Sequence, residues 1–113
     1  RIKDALVLRN ELNAAKNLDF GVVNIRWLKP LPEAALIEIL SDVDKVITLE
    51  ESVKEGGMGS AITQFINEKN LKCDVLVSAI ENGFLPAGDK EYLNKLAKID
   101  VKSIMTKVEK RWE

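Results

Sequence analysis

An α/β domain is the architecture this sequence predicts: a mostly parallel sheet with helices on both faces, in three layers. Two observations carry the prediction. Short apolar runs without polar alternation, at residues 20–27, 45–50 and 73–80, read as strands buried on both sides. Between them lie segments with helical spacing of apolar residues, the alternation that produces parallel sheets.

Residues 1–17 read as a first helix. Ile2, Ala5, Leu6, Leu12 and Ala15 can share one face, and no Gly or Pro interrupts them. Asn17-Leu18-Asp19 ends it, and Phe20 to Trp27 follows as the first strand. Lys29-Pro30-Leu31-Pro32 stops that strand, because proline has no N–H to give to a ladder. A second helix runs from Pro32, suited to the first helical position, to Leu40, with Glu33 favourable near the positive helix start.

After the turn Ser41-Asp42-Val43-Asp44, residues 45–50 form the second strand. A loop rich in acids and glycine, Glu50-Glu51 through Gly56-Gly57-Met58-Gly59-Ser60, leads into a third helix ending near Asn70, with Ile62, Phe65 and Ile66 inward. Cys73 to Ile80 is the third strand, and Asn82-Gly83 is a turn. Asp89 caps a short helix over 90–98 bearing Tyr92, Leu93 and Leu96. Asp100 caps a last helix whose Val101, Ile104, Met105, Val108 and Trp112 lie at helical spacing.

Composition narrows the function classes. The 113 residues suit one domain, residues 1–113, with 46% apolar and 31% charged residues. A formal net charge of −1 gives no basic surface for nucleic acid. No apolar run reaches membrane-spanning length and no signal-peptide pattern is present, so a membrane partner is not expected. There is no histidine, the commonest acid/base and metal ligand, and only one cysteine. That lone Cys73 is read as a structural thiol in a reducing compartment, the cytoplasm or, in a eukaryote, a plastid-type organelle. The chain opens at Arg1 directly in a helical pattern and is expected to be a fragment of a longer polypeptide.

The glycine loop admits two readings. Helix-start N–H groups beside Gly56, Gly57, Gly59 and Ser60 could cradle a phosphate or nucleotide. The P-loop lysine and spacing are missing, and so is G-x-G-x-x-G, so a tight packing corner is favoured. Glu50 and Glu51 are adjacent on a strand and point to opposite faces, which argues against a catalytic pair. Glu50 is instead expected to accept hydrogen bonds from loop N–H groups such as those of Gly56 to Gly59. Arg26 and Lys29 bracket the first strand's end; an interdomain or dimer ion pair is favoured over a phosphate contact. Trp112 is read as core and Trp27 as an interface candidate.

Three segments together resemble one family. Gly21 to Leu31, with Arg26-Trp27-Leu28-Lys29-Pro30-Leu31, resembles a strand of the transketolase C-terminal domain. Val46 to Ser60 is similar to its "V-T-x-E-E…G-G-x-G-S" segment. Phe84-Leu85-Pro86-Ala87-Gly88-Asp89 looks like the "F-[IL]-P-x-G" step of the 1-deoxy-D-xylulose-5-phosphate synthases. One departure is Pro32, where the family usually has Asp after Lys-Pro-Leu.

The resemblance implies a parent enzyme using thiamine diphosphate and Mg2+, bound in other domains. It would condense pyruvate with glyceraldehyde 3-phosphate for isoprenoid precursor, thiamine and pyridoxal synthesis. It implies no catalytic, cofactor-binding or metal residue here, but packing on the enzyme's other domains and on a homodimer partner. Arg26, Lys29, Glu50, Gly56, Gly57, Gly59 and Ser60 would supply those contacts. A transketolase, or a pyruvate dehydrogenase-type β subunit binding an acyltransferase core, is the alternative parent. The resemblance further implies truncation at the N-terminal strands, one of them central. About 10–20 upstream residues, one to two strand lengths, are expected to add stability.

Overall fold

A computed structural model describes residues 2–16, 19–25, 31–53, 57–80 and 100–112. Six elements occur among them: α1 (Ile2–Lys16), α2 (Glu33–Leu40), β1 (Lys45–Val53), α3 (Met58–Glu68), β2 (Asp74–Ile80) and α4 (Val101–Trp112). β1 and β2 pair in parallel, with Lys45 opposite Asp74 and Leu49 opposite Ser78, and the register shifts between Leu49 and Val53.

Strand alternation divides the core into two clusters. Ile47, Leu49 and Leu76 face Leu8 and Leu12 of α1 and Ile104 and Val108 of α4. Val46 and Val75 face Leu36 and Leu40 of α2 and Ile62, Phe65 and Ile66 of α3. The strands lie between two helical layers, as the apolar runs predict.

Several boundaries differ from expectation by small, explicable amounts. Pro32 is the N-cap of α2 rather than its first residue. At the other end, Ser41 N–H and Oγ both donate to Ile37 O, at 3.0 and 2.6 Å. α3 stops at Glu68; Asn70 then takes φ 55°, and Leu71 N–H donates to Ile66 O at 3.0 Å. Asn tolerates that left-handed conformation better than most residues do, so it closes the helix.

Two differences are larger. The strand expected over 20–27 is absent in its described part: residues 19–25 form no regular secondary structure. A strand requires a neighbour to complete its ladder, and the only sheet among the described residues is β1–β2. The segment is held instead by Asn13, whose side-chain amide donates to Phe20 O at 3.3 Å and accepts from Phe20 N–H at 2.8 Å. In α1, Leu8 and Leu12 are the buried residues, whereas Leu6 and Ala15 are exposed. Apolar residues surround much of this helix, so spacing alone permitted more than one inward face. The helix expected over 90–98 and the Phe84–Asp89 step lie outside the described residues.

Candidate functional site

The corner where β1 meets α3 holds the described part of the predicted contact set. Thr48 and Glu50 are two apart on β1 and project from one face of it, toward α3. Glu50 is 7% exposed. Its Oε1 accepts from Met58 N–H at 2.9 Å, and its Oε2 accepts from Gly59 N–H at 2.5 Å. These are two of the first N–H groups of α3, which have no partner inside their own helix. The positive helix end favours the carboxylate that desolvation would otherwise penalise.

Glu50 therefore fills the position an external anion would take. The expected loop-to-Glu50 hydrogen bonds are present, at Met58 and Gly59. A phosphate cradle at this helix start would have to displace a buried carboxylate from two charge-assisted hydrogen bonds.

Gly59 is required for a steric reason. A Cβ added there would stand 2.5 Å from Val77 Cγ1 and 2.9 Å from both Glu50 Oε2 and Thr48 Oγ1. The lack of a side chain lets α3 start against both strands. Gly57, the N-cap, is buried in extended backbone (φ −86°, ψ −172°), which any residue adopts. One turn into α3, Thr63 Oγ1 donates to Gly59 O at 2.7 Å. Ser60 is half-buried within α3. Arg26, Lys29 and Gly56 lie outside the described residues, as does Trp27, and the structure brings together only Glu50, Gly57, Gly59 and Ser60 of the predicted set.

A second junction went unseen in the sequence. Asp74, at the start of β2, accepts from Arg111 Nε at 2.9 Å and Nη2 at 2.7 Å, and also from Trp112 Nε1–H. These hydrogen bonds, Arg111's first, hold the Asp74 carboxyl down to about 2. Trp112 also packs its ring against the α1–α4 cluster, so the core reading of that residue holds. Arg111 lies 37 residues from Asp74 in sequence, and no local motif announces the pair.

Cys73 is half-buried, and its Sγ lies within reach of two alternative acceptors for its single S–H, Leu40 O (3.3 Å) and Val43 O (3.4 Å). Burial, with a smaller contribution from the charge of Asp44, pushes its pKa up and disfavours the reactive thiolate. Among the described residues no group of three or more His, Cys, Asp or Glu could hold a metal, and no helix is long and apolar enough to cross a membrane.

Comparison with known proteins follows the same lines. The family model described as "Transketolase, C-terminal domain" matches residues 2–104. Among curated proteins, the 1-deoxy-D-xylulose-5-phosphate synthase of Caldanaerobacter subterraneus subsp. tengcongensis is 39% identical over 92 residues, covering 81% of this chain and 15% of that protein. The synthase of Albidiferax ferrireducens is 33% identical over 106 residues, covering 94% of this chain and 17% of that protein. The chain thus spans about a sixth of the length of these relatives. A solved structure described as "Split gene transketolase, inactive beta4 tetramer" superposes with a TM-score of 0.83 at 24% identity, covering 96% of this chain and 35% of that one; it shares the fold.

Proposed function

The chain belongs to the transketolase C-terminal domain family, and from that premise we propose that it is the C-terminal domain of a 1-deoxy-D-xylulose-5-phosphate synthase. In this reading the parent transferase uses thiamine diphosphate and Mg2+, both held by its other domains. It condenses pyruvate with glyceraldehyde 3-phosphate at the entry to isoprenoid precursor, thiamine and pyridoxal synthesis. The domain itself carries no chemistry. It packs on the catalytic domains and supports a homodimer in the cytoplasm.

One observation carries the non-catalytic part of this reading: the Glu50 carboxylate is committed to the start of α3. The strand-end corner, the usual place for ligands in α/β sheets, is filled by the protein's own side chain. The synthase is favoured over other parents by the relatives above, which match most of the chain.

The test is turnover by the purified 113-residue chain with pyruvate, glyceraldehyde 3-phosphate, thiamine diphosphate and Mg2+. No carbon dioxide is expected above the protein-free control. Turnover that survives further purification would overturn the inert-domain reading.

A further inference from the structure

The row Lys3, Val7 and Glu11 on α1 is exposed throughout, and Leu6 and Ala14, also exposed, widen it. Leu6 is 40% and Val7 43% exposed, on a helix whose Leu8 and Leu12 already fill the core. Ala5 and Arg9, on another flank of α1, line the cavity beside β1. At 3.6 residues per turn, Val7 lies on the side of the helix away from that flank. The row is therefore separate from the cavity wall.

The charges of this row are self-complementary. A two-fold axis through Val7, with two copies of α1 antiparallel, sets each residue beside the one equally far beyond Val7 in the other copy. Lys3 of each copy then lies beside Glu11 of the other, and two ion pairs flank a Val7–Val7 centre. Sliding one helix by a turn would instead set Val7 beside Glu11 and Lys3 beside Ala15. A parallel pair would put Lys3 beside Lys3 and Glu11 beside Glu11, like charges that repel. The antiparallel arrangement also opposes the two helix dipoles.

The row suits close helix packing. Its residues are four apart, and rows of that kind interlock when two helices cross at about −50° with axes about 8–10 Å apart. With Cα atoms about 2.3 Å from each axis, the two Val7 Cα atoms come to roughly 4–6 Å.

We propose that this face of α1 is a self-docking surface that meets α1 of a second copy, antiparallel, about a two-fold axis at Val7. One helix face falls below the roughly 1,000 Å² that a stable interface buries. The contact therefore joins domains already held in a dimer and does not by itself dimerise the 113-residue chain. The inference rests on the reading of the chain as a domain of a homodimeric enzyme. None of the residues predicted as contacts from the sequence lies on α1.

Disulfide trapping in the parent synthase proposed for this chain tests the surface, with rates corrected for the unsubstituted enzyme. Val7→Cys should form an interchain disulfide under mild oxidation, since its Cα separation suits one. Lys3 of the two copies lie about 12 Å apart along the helices, four residues either side of the axis. Lys3→Cys alone should therefore link at least about tenfold more slowly, whereas Lys3→Cys with Glu11→Cys should link about as fast as Val7→Cys. Adding Lys3→Glu to Val7→Cys should slow linking several-fold, and adding Glu11→Lys as well should restore the rate. All these positions are exposed, so the substitutions leave the core intact. An enzyme that sediments as a dimer, yet whose Val7→Cys links no faster than Lys3→Cys, would overturn the surface and leave the homodimer standing. Linking of Val7→Cys that ignores both charge changes would overturn the Lys3–Glu11 register. An enzyme that sediments as a monomer would overturn the homodimer and the surface together.

Discussion

Glu50 and Asp74 each take hydrogen bonds that tie a helix to the sheet, one at the start of α3 and the other at the end of α4. Glu50 is buried and accepts from two backbone N–H groups of α3. The Asp74 side chain is 49% exposed, and it meets Arg111, whose side chain is 44% exposed, and Trp112. The hydrogen bonding looks richer at Asp74, but water competes for it and screens it. At Glu50 the alternative to each bond is a buried group without a partner. Burial, more than the number of bonds, should decide which junction holds the fold.

The largest effect is expected at Gly59. Gly59→Ala places a methyl 2.5 Å from Val77 Cγ1 and should cost about 1–3 kcal/mol in denaturant unfolding, the usual range for overpacking. A cost near zero would show that α3 can step away from the sheet and that the corner is slack. Next comes Glu50→Ala, which strips two helix-start N–H groups of their acceptor and should cost about 1–3 kcal/mol. A cost below that of Asp74→Ala would reverse the comparison.

Asp74→Asn should cost less than about 1 kcal/mol, as exposed ion pairs do. The smallest effect is one of pH. The folded Asp74 pKa, about 2, lies below the unfolded value of about 3.9. The stabilisation is therefore complete above pH 4 and disappears as pH falls from about 4 towards 2. Asp74→Asn should flatten that part of the stability curve, discounted for the exposure of the pair. An unchanged acid limb would mean that Arg111 adds nothing at this junction.

The contrast also explains what the sequence could convey. Glu50 was legible because its partners are eight and nine residues away, in a loop whose glycines and acids sit at a strand end. Asp74 with Arg111 was not, because only the tertiary fold brings β2 and α4 together. The α4 stripe was legible because Lys102, Ser103, Thr106 and Lys107 separate the apolar positions into one inward face holding Ile104 and Val108. α1 was ambiguous because apolar residues surround it. Residues 20–25 have strand-like chemistry, but a strand is completed by its neighbour, and sequence pattern carries no information on whether that neighbour is in place.

The central claim is that the β1–α3 corner is a packing junction and not a ligand site. It is tested most directly by Glu50→Gln in the parent synthase proposed for this chain, reading thermal midpoint and thiamine diphosphate affinity side by side. Gln keeps the shape but puts an NH2 where one acceptor oxygen stood. The midpoint of the unit containing this domain should fall, by the amount a loss of about 1–2 kcal/mol gives for a unit of its size, with the cofactor dissociation constant unchanged. An unchanged midpoint with lost cofactor binding would contradict the account.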